Sequence, residues 1–401
     1  MKMRTLAAIT VIAFIACQPD AEHTGGPDIQ QRDSAGIRIV ENPRPLDGSH
    51  LGWRIGSEPA VSIGVLEGDD PYMLFAVRDA TILSDGRIVV VGANELRVFD
   101  PMGIYLETWG GRGEGPGEFI DLYQADPWLG DSLVAGDFRH ETMTVFDSNG
   151  NVGRIVRLED SPIVSLRAVF EFGLYMVMRD GSILLAREPS HPDTVDVAIF
   201  DAEGGSRRSL GSHAGWENYY LERANSLDHV IFGRTLAMAA WGDLIVITPT
   251  DHGEITAFTR EGTLVRIVRL GHEPREPEQA NVDAYIEARV SRVPSEMVEY
   301  RMQYRGELQD LPVAEHFPAF TSVMTDALGH LWVEEFAVPG EDQPGVLWTV
   351  LDPEGQVLGF VETPKELEIY EIGRDYLLGK TQDEEFGVES VQVWRLERSN
   401  G

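Results

Sequence analysis

Two aspartates stand where a hard cation could be held: Asp79, in Arg78-Asp79-Ala80-Thr81, and Asp126, in Gln124-Ala125-Asp126. Each falls in the first strand-like run of a repeating unit, and carboxylates from neighbouring units can converge, with water, on Ca²⁺ or Mg²⁺. Arg78, Gln124, Arg167 and the pair Thr321 and Ser322 lie in corresponding runs and are candidates to line the same channel or an adjoining binding face. The plainer use of the two carboxylates is to pair with Arg78 and Arg167 or to cap strand ends. No cofactor beyond such an ion is implied.

Other chemistries are excluded by spacing. The stretch Gly110-Gly-Arg-Gly-Glu-Gly-Pro-Gly-Glu-Phe119 has five glycines in ten residues. A phosphate loop, however, needs Lys then Ser or Thr after its last glycine, and two carboxylates would repel a phosphate. No helix-period segment follows, so a dinucleotide fingerprint does not fit either. Gly211-Ser212-His213-Ala214-Gly215 has its serine one place too early for a nucleophile elbow. Asp147-Ser148-Asn149-Gly150-Asn151 begins like a calcium loop, but its glycine is at the fourth place rather than the sixth and no Glu stands at the twelfth. There is no H-E-x-x-H and no paired Cys/His site.

Cys17 is the only cysteine in the 401 residues. It follows a basic start, Met1-Lys2-Met3-Arg4, and an apolar run from Leu6 to Ala16 that is too short to span a bilayer. That is the layout of a secretory signal. The following residues, 18–36, are polar with Pro and Gly and read as a flexible tether. Residues 37–401 then form the folded body.

With 33 basic and 66 acidic residues the net charge is −33. No cationic cluster interrupts that background, so nucleic acid is excluded as a partner. The chain is long enough for a large core, and repeat folds run long as single units.

A repeat positions these residues. From Ala76 onward a short apolar strand, an Asp/Gly turn, a second strand, a third ending in an aromatic or Leu plus Asp, and a Gly turn recur six times. The third strands read LRVFD, MTVFD, VAIFD, ITAFT, WTVLD and VQVWRL. Alternation of period two and Asp-Gly punctuation predict sheet and hairpins. The expected fold is all-β: a six-bladed β-propeller of four-stranded antiparallel blades. The sixth unit stops after its third strand, so an N-terminal strand, either Ile37–Val40 or the stretch Trp53–Ile63, should close the ring. Glu278 to Leu308 breaks the rhythm, with Val282, Ile286, Val290, Val293 and Met297 at near-helical spacing and Pro294 between them. It predicts two short helices, about 277–312, inserted between blades four and five.

Phe14-Ile15-Ala16-Cys17 resembles the lipobox of bacterial lipoproteins, which implies that Cys17 is acylated and becomes the mature N-terminus. Gln18 after it resembles lipoproteins sent on to the outer membrane. The segment GRGEGPGEF resembles the inter-blade segment of NHL-type repeats. With HFPAF at His316–Phe320, Gly329-His330-Leu331-Trp332-Val333 and the ending IGRDYLLG with VQVWRL, the chain from about Ser34 to Leu396 resembles bacterial six-bladed β-propeller lipoproteins. The resemblance implies fold and an envelope location. The expected function is an exported, lipid-anchored, monomeric binding or scaffold module for a protein, peptide or glycan, touching membrane through its anchor alone. The alternative is a metal-dependent hydrolase or lyase, lactonase-like, with its site in the central channel.

Overall fold

In a computed structural model the described residues are 30–44, 49–137, 139, 142–157, 175–187, 193–205, 208–383 and 386–398. Cys17 and the signal sequence lie outside them, as does Arg167. Six antiparallel blades follow one another along the chain. Blade one comprises β5 (Asp79–Ile82), β6 (Ile88–Val91), β7 (Glu95–Phe99) and β8 (Tyr105–Gly110). Blade two comprises β9 (Leu122–Trp128), β10 (Ser132–Asp137), β11 (Thr142–Phe146) and β12 (Val152–Arg157). Blade three comprises β13 (Tyr175–Val177), β14 (Ile183–Arg187), β15 (Thr194–Phe200) and β16 (Arg208–Ala214). After an extra hairpin, β17 (Asn218–Leu221) and β18 (Ser226–His229), comes blade four: β19 (Leu236–Trp241), β20 (Leu244–Pro249), β21 (Glu254–Phe258) and β22 (Leu264–Leu270).

Helices α1 (Gln279–Ser291) and α2 (Val298–Gln309) precede blade five: β23 (Phe320–Thr325), β24 (Leu331–Glu335), β25 (Gly345–Leu351) and β26 (Val357–Pro364). Blade six has three strands of its own, β27 (Glu368–Ile372), β28 (Tyr376–Gln382) and β29 (Glu389–Glu397). Its outer edge is supplied from the other end of the chain. Strands β3 (Arg54–Ile55) and β4 (Val61–Ile63) both pair antiparallel with β29, in the registers Leu396↔Ile55 and Val391↔Ile63. Of the two N-terminal stretches that could close the ring, Trp53–Ile63 does so.

The other stretch has a different place. Strand β2 (Ile37–Asn42) adds parallel to β22, on the outer edge of blade four, and β1 (Gln30–Ser34) pairs with it as a hairpin. The end of the stretch read as a tether is therefore strand from Gln30 on. Between these points Asn42 donates to Gly355 O and accepts from Val357 N–H, and Leu51 N–H donates to Phe360 O, both on blade five. Residues 30–44 and 49–63 thus lie along the outer edges of blades four, five and six.

The core is divided among the blade interfaces. Val89, Trp109 and Phe119 pack with Leu133 and Phe146 between blades one and two; Ile63 and Leu378 pack with Ile88 and Phe99 between six and one. Sheet alternation sends one face of each blade to each neighbour, so both faces are apolar.

One turn recurs between the third and fourth strands. Asp100, Asp147, Asp201 and Asp352 each accept, on one carboxylate oxygen, the N–H groups two and four residues on, at 2.8–3.0 Å. Thr259 does the same with its hydroxyl at 3.2 and 3.4 Å. Asp147, which begins the calcium-like run, is thus occupied by its own turn. The glycine three places on has positive φ, and it packs against the previous blade: a Cβ on Gly150 would lie 2.1 Å from Trp109. On Gly103 it would meet Val61 of β4 at 2.9 Å, which places β4 where a fourth strand belongs.

The glycine-rich stretch is the crossing from β8 to β9. Phe119 N–H donates to Gly111 O, Gly113 N–H donates to Phe119 O, and the Phe119 ring is fully buried. At Gly110, φ is +81° and a Cβ would lie 2.6 Å from that ring. The segment is architecture: its glycines let the backbone fold around an aromatic anchor.

Helix α1 is opened by a capping box between Glu278 and Asn281 and buries Val282, Ile286 and Val290 along one stripe. It ends before Pro294, so Val293 and Met297 leave that stripe. Among the described residues no helix is long and apolar enough to cross a membrane.

Trp53, from the N-terminal stretch, and Arg398, just after β29, meet at Asp326, whose carboxylate is fully buried. It accepts from Arg398 Nη1 (2.6 Å), His330 Nδ1 (2.8 Å) and Trp332 Nε1 (3.0 Å), and Trp53 lies over the Arg398 guanidinium at 4.4 Å. Burial would raise its pKa, but these hydrogen bonds outweigh it and hold the group below the usual carboxylate range. Its stabilising contribution is therefore present above that range and is lost as pH falls through it.

Arg398→Met should lower stability at pH 7 by about 3–5 kcal/mol, because it strands a buried carboxylate, and by less at pH 3. Denaturant titrations at both pH values measure this. Deleting residues 1–50, which leaves β3 and β4, should preserve one cooperative calorimetric transition; deleting residues 1–63 should abolish it.

Candidate functional site

The inner strands of blades one, two, three and six bring together three carboxyl groups and the tyrosines Tyr123, Tyr175 and Tyr370, with Tyr376 of β28 beside them. Asp79 of β5 and Asp126 of β9 are within electrostatic reach of each other, as their positions on adjacent inner strands require, and Glu371 of β27 is the third. Neither aspartate pairs with Arg78. Asp79 instead accepts Ala80 N–H at 2.8 Å on one oxygen and Ala125 N–H of blade two at 3.0 Å on the other. Gln124 donates to Asp126 at 2.8 Å. Glu371 accepts Thr81 Oγ1 (2.9 Å) and Ile82 N–H (3.2 Å) of blade one on one oxygen and the Tyr376 hydroxyl on the other.

Burial is the main cause of the raised pKa values of Asp79 and Asp126. It raises Asp79 well above its ordinary pKa, with the Asp126 charge adding to the effect. Asp126 is pushed up to about 7, burial outweighing the Gln124 hydrogen bond, with Glu371 contributing repulsion. Tyr175 of β13 is raised by burial and then by the charges of Asp126 and Asp79; its hydroxyl donates to Gln124 O at 3.2 Å. Gly136 makes room for it, since a Cβ there would lie 2.6 Å from that hydroxyl. Tyr370 is raised by burial and by Glu368 and Asp79, and its hydroxyl is enclosed without a hydrogen-bond partner among the described residues. It sits at a register shift of β27, between Ile369 and Glu371, and such a bulge re-aims a side chain.

The remaining expected site residues are dispersed. Arg78 clamps blade one to blade two through Asp121 Oδ1 (2.5 Å) and Leu122 O (3.0 Å), over the Tyr123 ring. Ser322 donates to Glu334 at 2.6 Å within blade five, and Thr321 beside it is exposed. Among the described residues no group of three or more His, Cys, Asp or Glu side chains is arranged to hold a metal ion. The donors that Asp79 meets are backbone N–H groups, and its shared charge with Asp126 is relieved by protonation. What the arrangement can do chemically is hold or pass a proton near neutral pH.

Glu371, Tyr175 and Tyr370 were not anticipated. The alternation in Glu368-Ile-Tyr-Glu-Ile372 marks an inner strand, but the sixth repeat is recognisable only from its Gly373-Arg-Asp turn onward.

The second notable feature is a lobe on the face where outer strands cross to the next inner strand. It combines the β17–β18 hairpin with α1 and α2 around their own core of Leu221, Phe232, Val282, Ile286, Val290 and Leu308. Arg223 pairs with Asp310 at 2.9 Å, and Arg289 donates to Tyr285 and Tyr304. Outside that core Tyr220, Leu227, Met297, Val298, Tyr300 and Met302 are exposed, Met302 by 72%.

No protein-family model matches the chain, and no curated protein matches it in sequence. Solved structures match it in shape. A member of the DUF4221 family from Bacteroides vulgatus is similar with a TM-score of 0.51 at 11% identity, over 86% of this chain and 99% of that one. A candidate exported protein of Bacteroides fragilis gives 0.49 at 11% identity, over 90% and 100%. A gluconolactonase of Xanthomonas campestris gives 0.39 at 14% identity, over 88% and 92%. The first likeness is one of fold; the other two are weaker still, and no chemistry passes from them to this chain.

Asp126→Asn should stabilise the protein at pH 8, on the order of 1–3 kcal/mol, and leave it unchanged near pH 4. The sign follows because a raised carboxyl pKa costs stability as pH rises toward it. Asp79→Asn should instead destabilise near pH 4, by about 1–3 kcal/mol, since an amide has one acceptor oxygen for the two N–H groups, and by less at pH 8, where the raised Asp79 pKa already costs stability. Thermal melts of the two variants at pH 4 and pH 8 separate these outcomes.

Proposed function

We propose that the protein is an exported, lipid-anchored β-propeller that serves as a binding module, holding a protein or peptide on the face that carries the lobe. The observation that supports it most is the lobe itself. Two insertions from different blade junctions build a separate core, and they leave methionines, tyrosines and valines in solvent that packing does not need. Exposed apolar groups of this kind mark interaction surfaces, and Met and Tyr adapt to polypeptide partners. Export and anchoring are supported by the Met1–Cys17 segment and its single cysteine.

Photo-crosslinking side chains placed at Tyr220 and at Met302 should give a discrete adduct in intact cells, and one placed at Leu106, on the rim of blade one, should not. Equal labelling at all three positions would remove the reading. Cys17→Ala should abolish incorporation of a labelled fatty acid and release the chain from the membrane fraction.

A second reading, an acid–base hydrolase or lyase working in the channel, is favoured by one observation: Asp126 is raised to about 7 beside Tyr175. It requires turnover of simple lactone or ester probes that follows the Asp126 titration and is lost in Asp126→Asn. Activity unaffected by that substitution would eliminate it.

A further inference from the structure

A pocket of about 310 Å³ opens between blades four and five at the foot of the lobe. Its walls come from four places in the chain. Arg44 follows β2, His272 and Arg275 lie between β22 and α1, Phe317 precedes β23, and Glu335 with Phe336 ends β24. Phe317 and Phe336 stack with centroids 5.5 Å apart and an interplanar angle of 28°. Phe232 of the lobe holds both edge-on, at 4.9 and 6.1 Å. The aromatic wall is therefore rigid.

Charges of both signs stand beside it. Arg44 Nη1 lies 3.2 Å from Glu335 Oε2, and the other Glu335 oxygen accepts the Thr349 hydroxyl at 2.5 Å. Arg275 pairs with Glu341 at 2.6 Å while lying over Phe317. His272 Nε2 is enclosed and has no hydrogen-bond partner among the described residues. Burial lowers the His272 pKa, so the ring is a neutral hydrogen-bonding group at pH 7.

We propose that this pocket binds a free α-amino acid with an aromatic or large apolar side chain. The side chain lies against Phe336, which the buried Phe317 ring backs, the ammonium group meets Glu335, and the carboxylate meets Arg44. The overall charge of the chain, −33, argues for this class over a simple organic acid. An anion is repelled by that field, whereas a zwitterion is not. The volume lies at the small end of ligand pockets and suits one amino acid rather than a long peptide. The inference is independent of the docking role proposed for the lobe, because the pocket can fill whether or not the lobe carries a partner.

Isothermal titration of the full chain with L-phenylalanine tests it, alongside N-acetyl-L-phenylalanine, L-phenylalaninamide and glycine, which lack in turn the ammonium, the carboxylate and the side chain. L-Phenylalanine should bind, and each analogue should bind at least about tenfold more weakly. Glu335→Gln and Arg44→Gln should each weaken L-phenylalanine by a similar factor, and Phe336→Leu should do so while keeping glycine unchanged. Melting curves confirm that each variant is folded. No binding of L-phenylalanine up to about 10 mM, or equal binding of all four compounds, would overturn the proposal. So would full affinity in folded Glu335→Gln and Arg44→Gln.

Discussion

The ring depends on a short antiparallel pairing between residues far apart in the chain: Val391 with Ile63, Gln392 with Ser62, Val393 with Val61. Without it β29 would be an open edge and the interface between blades six and one would lose Ile63. A propeller gains its stability from blade faces buried against neighbours on both sides, so one open junction exposes two apolar faces at once. Residues 30–44 and 49–51 extend this closure across blades four and five. Asp326 and Arg398, under Trp53, fasten the C-terminus to the same place.

Closure explains how the polar interior is used. Carboxylates on the inner strands could repel one another, yet Asp79 and Glu371 each reach across to backbone N–H groups of the adjacent blade. Blades have no shared ladder of strand hydrogen bonds, so side chains must bridge them. Arg78 does the same with Asp121 and Leu122 O. The channel groups thereby hold neighbouring blades in place, and the raised protonation of Asp79 and Asp126 follows from crowding acids where water is scarce. Asp79 thus fastens the ring while itself raised well above its ordinary pKa, and Asp126 beside it titrates near neutral pH.

The connections on one face are free of that duty. The crossing from β8 to β9 is tight and glycine-rich because Phe119 must enter the core there, whereas the crossings after blades three and four are long enough to build a lobe and a pocket. Binding surfaces arise on such loops because the scaffold beneath them is already complete.

The six third strands, five of them with an Asp or Thr turn after them, the Asp-Gly hairpins and the stripe Val282, Ile286, Val290 were legible because each is a local pattern whose physics lies within a few residues. The need for a closing strand was legible too, since the last repeat stops one strand short. Which stretch closes the ring was not: Ile37–Val40 and Trp53–Ile63 are both strand-like, and only the geometry of the outer edges assigns one to blade four and the other to blade six. Asp79 and Asp126 were found as a pair because adjacent repeats put them on adjacent inner strands. Their partners Glu371 and Tyr370 come from the far side of the closure, Tyr370 at a bulge, and Tyr175 from the short inner strand of blade three, while Arg44, His272 and Phe317 converge from segments that no repeat relates. Local periodicity determines strands, turns and their count. Contacts between residues hundreds of positions apart are decided only when the ring shuts, because it is the shared burial of blade faces that brings them together.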